Sequence, residues 1–230
     1  MCGRFALFNS AQIIKTWFHL PELNGYQPSY NIAPSSQVLT IVARAEKNLQ
    51  SCFMHWGFIP TWANATTQKL PRPINARIET VQTNGLFKHA IKKSRCLILA
   101  TGYYEWQQQT DGKQPYFIRS QSTPDFLLLA GIYAARPDED PSMGTCAILT
   151  QPAYTNLSDI HARMPVIIHP NQFTDWLCAP FTPDTKGIEL IHHCQMPAEN
   201  LTAYPVTSAV NTPRFNQPEC VEPLLDDSMR

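Results

Sequence analysis

Twenty prolines divide this chain so finely that regular elements must be short and the joints between them ordered. Each proline fixes φ and removes a backbone donor, which works against long helices and uninterrupted central strands. Between the prolines lie apolar stretches of strand length bounded by turn residues: "QVLTIVAR", "SCFMHWGFI", "RCLILA", "PYFIR", "DFLLLAGIYAA", "TCAILT" and "MPVIIH". The segment "QQQTDGKQPYF" reads as a hairpin, with Asp111 and Gly112 supplying a positive-φ turn. Helical patterning is confined to residues 10–18, 84–93, 171–178 and 186–194, the first two opening behind polar residues able to cap. Strand clusters with helices at the periphery, in no strict alternation, predict an α+β fold rather than a doubly wound one. The polar stretch "ARPDEDPSMG" reads as an exposed loop, and because strand patterning continues on both sides of it, one interleaved domain over residues 1–230 is expected.

Charge narrows the partners. Lys and Arg number 18 and Asp and Glu 18, so no broad basic field exists to hold duplex DNA; any nucleic-acid contact must come from a local cluster of arginines and aromatics in a groove. The seven cysteines are odd in number and scattered, with no secretory leader ahead of them, which reads as reduced thiols in the cytoplasm. No apolar run is long enough for a membrane span. Cys52 and His55 in "CFMH", with His192, His193 and Cys194 in "HHC", lack finger spacing, so neither a metal nor a cofactor is expected. A serine-nucleophile elbow is missing too. Cysteine chemistry is what remains.

Four stretches combine reactive groups: "MCGRF", "INARIET", "GYYEW" and "DIHARMP". Removal of Met1 would leave Cys2 as an N-terminal aminothiol; otherwise Cys2 is one small apolar residue among seven cysteines. In an extended "INARIET", Asn75 and Arg77 share a face, suited either to phosphate and sugar oxygens or to water alone. Glu105 stands between Tyr104 and Trp106, which would limit its hydration and raise its pKa if the strand lines a pocket; a glutamate pointing into solvent is the alternative. An extended "DIHARMP" would put Asp159, His161 and Arg163 on one side, an acid, an imidazole and a phosphate-binding cation, although a lone histidine is more often structural.

Together with "YNIAP", "WGFIPTW" and the terminal "VTSAVNTPRFNQPECVEPL", these stretches resemble the SOS response-associated peptidase (SRAP) family over nearly the whole chain, in the family's order. One departure is "ILATGYYEW", where Thr101 stands in place of a common acidic residue before the glycine. The resemblance implies antiparallel, partly barrel-like sheets and an abasic-site processing protein. Such a protein binds single-stranded DNA and joins the sugar aldehyde left by base loss through a thiazolidine made from the amine and thiol of Cys2. It implies Cys2, Asn75, Glu105 and His161 as catalytic residues, with Asn75 orienting the amine or sugar, Glu105 moving protons during imine formation and His161 serving sugar-ring opening. Arg4, Asn31, Pro34, Trp62, Arg77, Trp106 and Arg163 are implied as DNA contacts. A lyase-type side reaction is expected beside cross-linking, from a monomer acting on abasic single strands, nucleoid-associated when bound to damage. Competing readings are a noncovalent single-strand binder and a thiol peptidase pairing Cys2 with His161.

Overall fold

The computed structural model describes residues 2–44, 48–63, 71–122, 125–135, 144–181 and 187–224. The apolar stretches form strands, and the architecture is the expected α+β one, with two sheets that are largely antiparallel. The first sheet contains β1 (Phe5–Leu7), β2 (Ser29–Ile32), β7 (Gly102–Gln109), β8 (Gly112–Ser120) and β13 (Leu201–Pro205), in the order β13-β8-β7-β1-β2. The second contains β3 (Gln37–Ala43), β4 (Leu49–Trp56), β5 (Asn75–Arg77), β6 (Arg95–Ala100), β9 (Leu127–Ala134), β10 (Thr145–Pro152), β11 (Arg163–Pro165) and β12 (Ile167–Ile168). In it β10 pairs with β9 antiparallel and with β4 parallel, so β4, β3, β6, β9 and β10 close into a ring, the barrel-like part of the fold. Strand β5 lies parallel along the far end of β10.

The ring explains why its strands read as continuous apolar runs. Alternate residues serve two cores. Cys96, Ile98 and Ala100 of β6, Leu127 and Leu129 of β9, and Cys146 and Ile148 of β10 join one cluster with Met54 and Trp56. Their neighbours Leu97, Leu99, Leu128, Ala130, Ala147 and Leu149 face a second cluster that includes Ile14, Phe18 and Trp176 from the helices. Helix α1 (Ala11–Phe18) begins at Ser10, whose side chain accepts from the Ile13 N–H (3.3 Å), and stops at His19 in the left-handed region (φ 52°).

Three details differ from the sequence reading. The helix expected over 84–93 is reduced to α2 (Ala90–Lys93): Asn84 turns its Oδ1 back onto the Leu86 N–H (2.9 Å), and the Phe87 and Lys88 N–H groups donate to the Asn84 carbonyl in successive turns. The β7–β8 hairpin is present, but positive φ falls on Gly112 (141°) alone and not on Asp111. Helix α3 (Phe173–Cys178) follows a 3-10 turn, and α4 is Gly187–Cys194; residues 136–143 of the expected polar loop and residue 186 lie outside the described residues. Among the described residues no helix is long and apolar enough to cross a membrane.

The carboxy-terminal segment returns to the amino-terminal strand. The buried Asn31 donates its amide to the carbonyls of Val210 (3.1 Å), Thr212 (3.2 Å) and Phe215 (2.7 Å), and its Oδ1 accepts from Arg4 Nη1 (2.8 Å), which also donates to the Val210 carbonyl (2.8 Å). Asn216 Oδ1 accepts from the Tyr30 N–H (2.6 Å). "YNIAP" and the terminal motif are therefore two halves of one clamp.

Gly102 permits the close contact of β7 with β8. A Cβ there would lie 2.4 Å from Phe117 Cζ and 2.6 Å from the Ile118 carbonyl oxygen, which cannot withdraw without breaking the ladder. In an ordinary strand Gly→Ala gains up to about 1 kcal/mol. Gly102→Ala should instead lower stability by about 1–3 kcal/mol in urea unfolding.

Candidate active site

Strand β1 lies between β2 and β7, so the first residues of the chain run as a central strand instead of fraying. Phe5 pairs with Tyr103, and the Tyr104 N–H donates to the Arg4 carbonyl (3.0 Å). Cys2, just ahead, has no solvent exposure. Its carbonyl accepts from Asn75 Nδ2 (2.9 Å), on the first residue of β5, so the second sheet holds the backbone of a residue carried by the first. Asn75 Oδ1 is buried and makes no hydrogen bond to a described residue. Burial, reinforced by the Glu105 charge, pushes the Cys2 thiol well above its ordinary pKa, so the group is a neutral thiol.

Glu105 comes from the middle of β7. Alternation puts Tyr103 and Glu105 on the Cys2 side, while Tyr104 and Trp106 pack on the opposite face with Phe117 and Val210. The sequence neighbours are thus not what dries the carboxyl. It lies beside Ile118, Leu157, Ile160 and Met164, from the neighbouring strand and the 154–164 segment, with only 4 % of the residue exposed. Burial raises its pKa to about 7.

His161 stands with Nδ1 3.8 Å from Glu105 Oε2. The same Nδ1 lies 3.0 Å from both the Arg163 N–H and the Arg163 carbonyl oxygen, so the backbone of Arg163 fixes the ring in either tautomer. Burial, helped by the charges of Lys113 and Arg163, pushes the imidazole below its ordinary value. The two groups are therefore moved in opposite directions, the carboxyl toward its acid form and the imidazole toward its base form. Asp159 does not join them. The chain from 154 to 160 is turned instead of extended, with the His161 N–H donating to the Leu157 carbonyl (3.2 Å), and Glu105 supplies the acid on that side.

A cavity of about 420 Å³ opens onto this pair, lined by Glu105, Trp106, Lys113, His161 and Asn211. Trp106 is fixed at its wall by donating Nε1 to Asn211 Oδ1 (2.7 Å). Arg77 projects from the same face of β5 as Asn75 and is exposed, whereas Arg163, at the start of β11, is engaged by Glu79 and by Thr150. Arg4 and Asn31 are committed to the terminal clamp. Pro34 sits in the turn after β2, ahead of Ser35 at φ 71°. Trp62 is 58 % exposed but lines a different cavity, of about 280 Å³, with Phe58, Lys93 and Tyr133. The structure thus brings Cys2, Asn75, Glu105, His161 and Trp106 together, with Arg77 and Arg163 beside them. Thr101, the departure from the family pattern, is buried and accepts from the Phe8 N–H (3.0 Å) while donating to Asn9 Oδ1. No three His, Cys, Asp or Glu side chains gather as a metal site among the described residues.

Sequence reasoning missed Lys113, Asn211 and Glu79. Asn211 lay inside a quoted motif and Glu79 inside another. Lys113 lay inside the quoted hairpin, but its place at the cavity depends on the register Gln108↔Lys113.

A cysteine at the second position, held at its backbone beside an acid and an imidazole between the two sheets of an α+β fold, is the arrangement that places this chain in a class. The chain belongs to the SOS response associated peptidase (SRAP) family, whose sequence profile matches residues 1–213. It is 35 % identical over 232 residues to the abasic site processing protein YoqW of Bacillus subtilis, covering 96 % of this chain and 99 % of that one. It is 31 % identical over 229 residues to the abasic site processing protein HMCES of Xenopus tropicalis, covering 87 % of this chain and 67 % of the relative. A crystal structure of a protein from Bacteroides thetaiotaomicron shares the fold, with a TM-score of 0.76, 24 % identity, and coverage of 97 % of this chain and all of that one.

The raised pKa of Glu105 has a thermodynamic consequence. Between the ordinary carboxylate value and about 7, the folded chain holds a proton that the unfolded chain has released, so stability falls as pH rises through that window. Glu105→Gln removes the penalty. In urea unfolding the variant should exceed the wild type at pH 8 by on the order of 3 kcal/mol and differ little from it at pH 4.

Proposed function

We propose that this protein processes abasic sites in single-stranded DNA by covalent capture through Cys2. The observation that carries the proposal is the hydrogen bond from Asn75 to the Cys2 carbonyl, which holds the backbone of the terminal cysteine beside Glu105 and His161. Two relatives bear names that describe abasic-site processing.

The chemistry begins with hydrolytic removal of Met1, which frees the Cys2 α-amine. With an ordinary pKa of about 7.7–8.0, that amine has a neutral fraction at physiological pH. His161, the base form of the pair, takes the proton from the anomeric hydroxyl of the cyclic abasic sugar and returns it to the ring oxygen as the bond from that oxygen to the anomeric carbon breaks and the aldehyde opens. The amine attacks the aldehyde carbon, and Glu105, in its acid form, delivers a proton to the departing hydroxyl, so that one water leaves and a Schiff base remains. The thiol then adds to the same carbon, its proton passing to nitrogen. Sulfur, Cβ, Cα, nitrogen and the sugar carbon close a five-membered thiazolidine, and because both nucleophiles sit on one residue the second attack is intramolecular. The Schiff base also acidifies the adjacent sugar carbon, and loss of that proton with departure of the 3′ phosphate is the lyase-type side reaction.

A thiol peptidase would use a thiolate–imidazolium pair, and the Cys2 thiol is pushed the other way. Lys113 and Trp106 at the cavity furnish a local cationic and aromatic surface for a single strand on a chain with no net charge, and Arg77 is exposed on β5.

Intact mass after mixing with an abasic single-stranded oligonucleotide is the test. The expected product is the protein without Met1, plus the oligonucleotide, less one water. Cys2→Ala should give no stable adduct while borohydride still traps a Schiff base through its α-amine. A stable, unreduced adduct of wild-type yield from Cys2→Ala would overturn ring closure, and a wild type that binds abasic strands without any mass shift would leave only the noncovalent reading.

A further inference from the structure

Arg163 is placed beside the site as a phosphate-binding cation, yet its guanidinium is already occupied. Nη1 donates to Glu79 Oε1 and Nη2 to Glu79 Oε2 (3.1 Å), so a carboxylate closes the two-pronged end of the group. Nη2 also donates to the Thr150 carbonyl (2.8 Å) and to its Oγ1 (3.3 Å). Nε is buried, without a hydrogen bond to a described residue. The fork that faces Glu79 is therefore the edge through which an incoming anion can be gripped bidentately.

Two further observations define what Glu79 is doing there. Its side chain is 42 % exposed, against 17 % for Arg163, so the carboxylate is on the solvent side of the pair. It also follows β5 by two residues, with the Thr80 N–H donating to the Arg77 carbonyl (3.2 Å) in the turn, which keeps it close to a second cation, Arg77. A carboxylate presents two oxygens to a guanidinium in the same planar fork that a phosphate diester uses. Arg163 does not need Glu79 to hold its position, because the Thr150 carbonyl and hydroxyl anchor Nη2 from the strand beneath.

We propose that Glu79 is a specificity-determining residue of strand binding: its carboxylate occupies Arg163 as an internal stand-in for a DNA phosphate and must be exchanged for one when a strand enters. This rests on the single-strand reading given above. With the exchange in place, an intact strand gains little from Arg163, since one ion pair is traded for another, and noncovalent retention stays weak. A strand that carries an abasic aldehyde is held by the bond to Cys2 instead. Glu79 thereby favours capture of damage over coating of undamaged strand, a case of selectivity obtained by a built-in competitor.

The opposite role, a carboxylate that aims Arg163 at phosphate, predicts the opposite sign, so one measurement separates them. Fluorescence anisotropy with an intact, base-complete single-stranded oligonucleotide would compare the full-length wild type, E79Q, R163Q and the double variant, each checked for folding by circular dichroism. E79Q keeps the shape of Glu79 and removes its charge. It should bind about three- to tenfold more tightly than wild type, and the gain should vanish in the R163Q background, because the competition requires the guanidinium. E79A offers the same readout without a replacement hydrogen bond and should also tighten binding. Weaker or unchanged binding by E79Q and E79A overturns the proposal. So does a gain that survives in R163Q, which would show a general loss of negative charge. If wild type and E79Q both fail to bind any single strand, abasic or intact, this inference falls together with the reading beneath it; binding by wild type with no gain in E79Q removes this inference alone.

Discussion

The site depends on β1 pairing on both sides. Chain termini are usually the least ordered part of a domain, and a strand of three residues at the very start would ordinarily fray. Here β1 is hydrogen-bonded to β2 on one side and β7 on the other, and Phe5 is buried against Trp56 with ring centroids 5.1 Å apart. That pairing delivers Cys2 between the sheets, within reach of Asn75, on the side of β7 that carries Glu105. An internal cysteine on any other strand would present an amide nitrogen, which is no nucleophile. The capture proposed above needs a free α-amine, and the fold places the second residue of the chain at the site.

Around that terminus the electrostatics follow from position more than from composition. Lys and Arg balance Asp and Glu at 18 each, so no excess of one sign dominates. Glu105 and His161 are moved by their immediate surroundings: apolar side chains from the 154–164 segment desolvate the carboxyl, and burial aided by Lys113 and Arg163 disfavours a second positive charge on the imidazole. An acid and a base with oppositely displaced pKa values stand 3.8 Å apart, the arrangement on which the proton transfers proposed above rest.

Much of this was legible in the sequence because strand-length apolar runs and quoted motifs are local signals. "RCLILA" and "DFLLLAGIYAA" became β6 and β9, and "INARIET" and "GYYEW" became the strands that carry Asn75 and Glu105. What failed to show was anything set by long-range pairing. That β10 closes a ring with β4 depends on register between segments nearly a hundred residues apart. The drying of Glu105 by Leu157 and Ile160, in place of Tyr104 and Trp106, depends on which face of β7 meets which loop. Asp159 fell out of the site because its segment coils instead of extending, and residues 84–89 turned instead of continuing a helix because Asn84 bonds its own neighbours. Arg4 and Asn31 carry a motif signal, but only the fold reveals that their hydrogen bonds are directed into the protein. The partnership of Glu79 with Arg163, 84 residues apart, has no trace in either local pattern.

The clamp between Arg4 and the Val210 carbonyl spans 206 residues, nearly the full length of the chain. Closing a loop of that length costs chain entropy before any contact rewards it, so the clamp forms only once the sheet that carries β1 has already brought its two halves near each other. Sheet pairing comes first and the clamp follows, and the segment over residues 210–216 acts as a latch on a strand already in place.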